Sequence, residues 1–516
     1  MTSWPAPPLN AVYALRDMVV ANHSAVAQVG AQVLRTGGNA IDATIAMAAM
    51  SWIALPGQCG VGGDAFAVVR HSDGSVITVG GSGFGPDGGE PEFYRERRLT
   101  AIPPTGALAV AAPGAIAALA TLHEKGATRG LEELWLPAIR AAEKGIACSQ
   151  RTRENILDFE SQLRLDDGMR KVFSRDGRAP QLGERLEWPE LANSIRALAA
   201  DPATLYSGEL AERAVKALVA SDAPFTGIEW AMAGDALVSP AIEGRYRSYV
   251  VHETPMPTPG WMVLQQAAMC DGVLTGLPWL SGEAVDVMAR AARRSFRDRL
   301  ERCASDNEAW RELLQPAFHL DGDTTSTVAI DADGCAVSFI QSLAFTFGSM
   351  MTIPGTGIVL NNRLARGAYL TPGHPNEVRP RRRPLHTLNA WMVTDEAGRL
   401  RHLGNTPGGD GQVQWNMQLL SHVLDHDLDP QEAVSAPRFT VFPGSDANVV
   451  GAPEEVLCEA RLSPSTMRHL ADAGHNVREI GPWDAGGGAL IISLDHQLGC
   501  LSGGADPRQD GVVLGD

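Results

Sequence analysis

The stretch Gly322-Asp323-Thr324-Thr325-Ser326-Thr327-Val328 sets a hydroxyl residue at the head of a strand, directly after a flexible Gly-Asp pair. Residues 325–330 alternate and are β-branched, residues 335–341 continue in the same style, and Ala332-Asp333-Gly334 between them predicts a tight hairpin. A threonine in that place has one special use. If the Asp323–Thr324 bond is cut, Thr324 gains a free α-amine beside its own hydroxyl, a nucleophile and base in one residue. The same residues also fit a turn that does no more than enter a strand, and the local pattern leaves both readings open.

The elements that would position Thr324 are spread along the whole chain. Ser24 is an expected N-cap for a helix over 25–35, and Asn39 for an apolar core helix over 40–52. Gly60-Val61-Gly62-Gly63 lies between that helix and a strand, the reverse of the strand-loop-helix order that binds a dinucleotide phosphate, so it is read as close backbone packing near a site. Residues 110–300 read as mostly helical. After Thr324 the texture changes to strands and glycine loops, including Gly404-Asn405-Thr406-Pro407-Gly408-Gly409-Asp410, which opens an amphipathic helix over 412–424. A helix-rich first part and a strand-rich second part predict α+β layers.

Composition narrows the function classes. The 516 residues include 43 basic and 60 acidic side chains, a net charge of −17, which argues against nucleic-acid partners and against anionic membranes. The four lysines (Lys125, Lys144, Lys171, Lys216) all precede Thr324, so any cation after it that holds a substrate anion is Arg or His. The seven cysteines show neither metal-ligand spacing nor a paired framework, and are expected to be reduced, mostly buried thiols. Residues 1–10 are Pro-rich with no signal-peptide pattern, and no stretch of 18 or more apolar residues occurs; a cytoplasmic location is expected.

With these pieces in order the chain resembles the γ-glutamyltranspeptidase family of N-terminal-nucleophile hydrolases. The likeness is carried by Gly37-Gly38-Asn39-Ala40-Ile41-Asp42-Ala43, Gly60-Val61-Gly62-Gly63-Asp64, Ala112-Pro113-Gly114 and Asp323-Thr324-Thr325. It continues through Gly357-Ile358-Val359-Leu360-Asn361-Asn362, Pro407-Gly408-Gly409 and Gly503-Gly504-Ala505-Asp506-Pro507-Arg508. The resemblance implies a four-layer αββα sandwich made as an inactive precursor. Cleavage between Asp323 and Thr324 would yield a large piece, 1–323, and a small piece, 324–516, that stay associated as one structural domain. It further implies Thr324 as nucleophile, Ser342 as the hydroxyl that steadies it, and Gly408 and Gly409 as the oxyanion-hole pair. No cofactor and no metal are implied.

The departures bear on the substrate. Ser82 stands where the family has the arginine that grips a glutamyl α-carboxylate, and Ala365 and Arg366 replace the acidic pair that holds the α-amine. The asparagine expected at Ala344 is absent, and the family's Ser-Ser pair is His386-Thr387. An ammonium-bearing substrate is therefore disfavoured. Ser338-Phe339-Ile340-Gln341-Ser342, Asn362-Arg363 and Arg383-Pro384-Leu385-His386-Thr387-Leu388-Asn389 look similar to oxamate amidohydrolase-like members of the family. The expected partner is then a small-molecule amide with an anionic end, bound by Arg363 or Arg366 with His386 and Thr387; the alternative for these arginines is pairing with structural carboxylates. Rival readings are a γ-glutamyltransferase, a glutathione hydrolase or another acylase of the family, and a ligand-binding member without turnover. Association into a homo-oligomer is compatible with the sequence and not implied by it.

Overall fold

The computed structural model describes residues 9–174, 176–307, 309, 324–447 and 449–516, so Asp323, on the upstream side of the expected cut, lies outside the described residues. Before Thr324 the central strands are β1 (Val12–Ala14), β2 (Met18–Ala21), β3 (Asp64–Arg70), β4 (Val76–Gly81), β5 (Leu237–Pro240), β6 (Ile242–Tyr246) and β7 (Tyr249–Glu253). After it come β8 (Thr325–Ile330), β9 (Ala336–Ser342), β10 (Trp391–Asp395), β11 (Leu400–Asn405), β12 (Leu490–Asp495), β13 (Cys500–Ala505) and β14 (Val512–Gly515). They form two seven-stranded sheets, ordered β14-β2-β8-β9-β3-β4-β5 and β1-β13-β12-β11-β10-β7-β6. Every neighbouring pair in both is antiparallel.

The strand period of two decides the layering. In β8, Val328 and Ile330 join Val20, Phe66, Ile340, Met392, Leu403 and Ile492 in an apolar cluster between the sheets. Ala329 points the other way, into a second cluster with the helices α1 (Ser24–Arg35), α2 (Ala40–Ala54), α3 (Ala115–Glu124), α4 (Leu131–Lys144) and α5 (Pro189–Ala200). The opposite face of the other sheet packs Val251, Trp391, Val393 and Ile491 against α6 (Gly260–Cys270), α7 (Gly282–Arg302) and α8 (Gly411–Leu424). Helix, sheet, sheet, helix is the order through the molecule: an αββα sandwich.

Most elements lie where the residue pattern places them, and four differences have physical reasons. The side chain of His23, not Ser24, caps α1, its Nδ1 accepting from the Ala25 N–H at 3.1 Å. Strands β5, β6 and β7 lie inside the range read as helical; they are short, and Leu237 and Val238 are exposed at a sheet edge, so no clean alternation marks them. The helix-first, strand-second texture is likewise not the architecture, since strands from before and after Thr324 alternate within each sheet. Helix α8 is not amphipathic towards solvent, because all 14 of its residues are buried. Its amides are consumed internally: Gln414 and Gln418 both donate to and accept from the backbone of residues 439–441.

All seven cysteines are free and six are buried. Among the described residues no helix is long and apolar enough to cross a membrane. Ile340 is fully buried between the sheets. Truncating it to alanine is expected to cost about 3 kcal/mol of stability, read from denaturant unfolding; a loss below about 1 kcal/mol would contradict the close packing assigned to this layer.

Candidate active site

Strand register brings the expected residues to one end of one sheet. Thr325 faces Gln341, Ser342 faces Asp64, and Ala65 faces Gly81. Continuing those registers by one residue sets Thr324, Ser342, Asp64 and Ser82 in a row across β8, β9, β3 and β4. Adjacent strands stand about 4.8 Å apart, so Asp64 lies roughly 10 Å along this row from Thr324. All four are buried.

Thr324 is held from several sides. Asn22, at the end of β2, accepts from the Ser326 N–H at 2.8 Å and from the Thr325 hydroxyl at 3.4 Å, while its own amide donates to the Gly488 carbonyl. Ser342 Oγ accepts from the Ala344 N–H at 2.9 Å. Gln412, in the first turn of α8, donates from Nε2 to Thr324 Oγ at 3.4 Å. The Gly62-Gly63 loop packs directly on this row: a Cβ on Gly63 would stand 2.5 Å from the Ser342 carbonyl oxygen. The motif is thus a backbone approach beside the site, as its position after a helix implies.

Gly408 and Gly409 precede α8 with φ of 127° and 54°, the left-handed range that favours glycine. A Cβ on Gly408 would come within 2.1 Å of the Trp415 ring. Their carbonyls accept from the N–H groups of Gly411 and Gln412, and among the described residues neither glycine's own N–H meets an acceptor. Two uncommitted amides one turn from Gln412, which itself touches Thr324, are what a developing oxyanion requires. A cleft of about 790 Å³ opens beside Gly408, with Phe159, Phe345, Met350 and Trp415 in its wall and Arg151, Asp446 and Gln509 around them.

Beyond Ser342 the row becomes charged. Arg363 is fully buried and bonds Asp64 Oδ2 through Nε at 3.2 Å. Its two terminal nitrogens meet no partner among the described residues, nor does Asp64 Oδ1. Burial raises the Asp64 pKa to about 6 although Arg363 and the Gly114 and Gly83 N–H groups favour its charged form. The same burial lowers Arg363 to about 10, against the pull of Asp64. Desolvation therefore outweighs pairing for both partners.

His386 lies against this pair. Its Nε2 is 2.7 Å from Ser82 Oγ and 3.9 Å from Asp64 Oδ2, its ring meets Phe66 edge-on, and its carbonyl accepts from Arg299 at 2.8 Å. Burial, then the charges of Arg363, Arg299 and Arg383, hold it well below the usual histidine range, so the ring is neutral. Arg366 donates to the Ala344 carbonyl at 3.0 Å, pairs with Asp446 at 3.4 Å and stacks on Phe345. Thr387 is buried, and its carbonyl accepts from the Asn389 side chain. The basic run at 379–383 contacts acidic neighbours: Arg381 pairs with Asp87, and Arg382 with Asp306.

Arg363 and His386 thus stand at the far end of the row, Arg366 lies beside Phe345 and Asp446 of the cleft, and Thr387 adjoins the amides. Residue patterns alone missed Asn22, Asp64, Arg299, Asn389, Gln412 and Asp446. A signal was present for one: α8 carries Gln412, Gln414, Asn416 and Gln418 in an otherwise apolar segment, more amides than a solvated face needs. Among the described residues no group of three or more His, Cys, Asp or Glu side chains could hold a metal ion.

Two antiparallel sheets stacked between helix layers, with a threonine buried at the head of a central strand, define the N-terminal-nucleophile hydrolase class. The gamma-glutamyltranspeptidase family pattern matches residues 26–321 and 306–516, and the chain belongs to that family. It is 32% identical over 538 residues to the glutathione hydrolase-like YwrD proenzyme of Bacillus subtilis, covering 98% of this chain and 99% of that one. It is 29% identical over 526 residues to the oxamate amidohydrolase proenzyme of Klebsiella pneumoniae, covering 96% and 98%. The crystal structure of cephalosporin acylase from Bacillus halodurans superposes with a TM-score of 0.89 at 28% identity, over 100% and 99% of the two chains. The protein is an amidohydrolase-type enzyme of a family made as proenzymes.

Asp64 gives a test by pH. Its folded value of about 6 exceeds the ordinary 3.8, so folding takes up a proton between those values. The stability it contributes is full below about pH 4 and is lost as pH rises through about 6. In a Thr324→Ala background, adding Asp64→Asn is expected to help the protein progressively between about pH 4.5 and about pH 7 in urea unfolding. A difference that stays constant across that range would sink the raised value.

Proposed function

We propose that the protein is an autoprocessing N-terminal threonine amidohydrolase that acts on a small amide whose acyl part ends in an anion, oxamate being the smallest such substrate. In maturation Thr324 Oγ attacks the Asp323 carbonyl carbon, the Asp323–Thr324 C–N bond breaks, and water hydrolyses the resulting ester. Residues 1–323 and 324–516 then remain together, and Thr324 carries a free α-amine. In turnover that amine takes the Oγ proton as Oγ bonds the substrate carbonyl carbon. The oxyanion sits at the N–H groups of Gly408 and Gly409; as it collapses the substrate C–N bond breaks, the α-ammonium gives its proton to the departing ammonia or amine, and water hydrolyses the acyl-threonine ester. An α-amine titrates near ~7.7–8.0, close to the optimum for a base working near neutral pH.

One observation carries the substrate class. The row that starts at Thr324 is met at Asp64 by a fully buried arginine, Arg363, whose two terminal nitrogens have no hydrogen-bond partner among the described residues. A buried guanidinium fork left in that state favours a carboxylate. Both nearby carboxylates already face an arginine, Asp64 with Arg363 and Asp446 with Arg366, and Ala344 and Ala365 are apolar. That supports an anionic acyl group without an α-amine over a γ-glutamyl group.

A second reading has its own support. The cleft beside Gly408, about 790 Å³ and partly aromatic, is far larger than a departing ammonia, and suits the bulky amine of an acylase substrate.

Maturation is tested on a denaturing gel, where bands of about 34 and about 20 kDa are expected in place of one at 54.9 kDa. Mass spectrometry should find Thr324 first in the small fragment; a persistent single band favours a binding protein without turnover. Ammonia release from oxamate, succinamate and glutaramate, each against Thr324→Ala, measures how far the anion stands from the scissile carbonyl. Arg363→Lys keeps the charge but loses the fork, and should lower kcat/KM on the best of these by about tenfold or more. Equal turnover of a γ-glutamyl anilide would refute the anionic-acyl assignment, and faster turnover of an N-aryl amide than of the primary amide would favour the acylase reading.

A further inference from the structure

We propose that Gln412 is a catalytic hydrogen-bond donor to Thr324 Oγ, and that Asn389 is the residue that keeps it donating. The proposal rests on Thr324 being the nucleophile and assigns a group that the family's motifs do not.

The argument is one of polarity. The Trp391 indole N–H can only donate, and it meets Asn416 Oδ1 at 3.0 Å. Asn416 Nδ2 must then donate, and it meets Asn389 Oδ1 at 2.7 Å. Asn389 Nδ2 faces the Thr387 carbonyl, which can only accept, and Gln412 Oε1, each at 3.3 Å. The Asn389 backbone N–H, a donor of fixed sense, points at that same Oε1, also at 3.3 Å. Gln412 therefore turns Nε2 towards Thr324 Oγ, 3.4 Å away. Flipping its amide would set N–H against N–H in a region without solvent: Trp391, Asn389, Asn416 and Gln412 are 0% exposed and Thr324 is 1% exposed.

An N–H directed at a lone pair of Oγ does two things. It stabilises the negative charge that grows on Oγ as the O–H bond breaks, and it turns the hydroxyl hydrogen away from Gln412 towards the α-amine that receives it. The Oγ–carbon bond then forms, and the carbonyl π pair moves to the oxygen at Gly408 and Gly409. The same contact serves the first attack on the Asp323 carbonyl, so cleavage and turnover should weaken together.

Gln412→Glu is the decisive variant, because a carboxyl donates only while protonated. At about pH 8 its kcat should fall about a hundredfold with KM within about threefold. The ratio of its rate to that of the unaltered enzyme should climb as pH is lowered to about 6, since the protonated fraction grows. Asn389→Ala keeps the backbone donor and should lower kcat about fivefold or more, and combined with Gln412→Ala the losses should be clearly non-additive. A Gln412→Glu rate within about twofold of the parent, or a ratio flat in pH, overturns the proposal. If Gln412→Glu does not fold by circular dichroism, Asn389→Ala decides, and an unchanged kcat overturns it. Failure of the underlying reading looks different: Thr324→Ala would retain activity, or the small fragment would not begin at Thr324.

Discussion

The constraint on which the site depends is the absence of water around polar side chains. Thr324 sits where a sheet end meets α8, and the amides and charges around it are almost fully buried. A buried donor or acceptor without a partner costs about 1–3 kcal/mol, and several side chains here answer that by tying separate elements together. Asn22 joins two strands to the Gly488 loop, Ser338 and Asn405 join the two sheets, and Asn389 joins β10 to α8. Fold and site are one hydrogen-bonded system here, and the buried polar atoms left without a hydrogen-bond partner include both Arg363 terminal nitrogens and Asp64 Oδ1.

Electrostatics sharpen that contrast. Three arginines, Arg299, Arg363 and Arg383, come close to a histidine held neutral, and Arg363 also meets an aspartate whose pKa is raised to about 6. In water such a cluster would be screened and of little consequence. In this buried setting pairing does not recover the cost of charging Asp64 or Arg363, and a bound anion would supply what the protein leaves out.

Much of this could be read from residue order, for identifiable reasons. The hairpin after Thr324 matches its expected register to the residue, since both faces of β8 are buried and a one-residue slip would exchange the residues that face the other sheet for those that face the helices. Helix α2 was legible because it is apolar on every side. Strands β5 to β7 were not, being short, with β5 and β6 at sheet edges. The partners within the site were hidden for another reason: Arg366 meets Asp446, and Gln412 meets Thr324, across some 80 residues of chain. Burial also turns the glutamines of α8 from an apparent solvated face into structural amides. Asp64 was visible only as the end of a glycine motif, and its role as partner to Arg363 needs the sheet register to be seen.

The alternation of strands within the sheets has a consequence for the lifetime of the mature protein. A break before Thr324 would leave β1 to β7 on one chain and β8 to β14 on the other, joined along β14–β2, β2–β8, β9–β3, β1–β13 and β10–β7. No single seam could open alone without stranding the apolar face behind it, so the pieces would hold together as tenaciously as an intact chain. Once unfolded, however, they would drift apart, and recovery would become a second-order encounter between two fragments in place of a first-order refolding. Maturation would then make folding a one-way passage: the precursor can repair itself, whereas the finished enzyme endures only as long as its unfolding barrier allows.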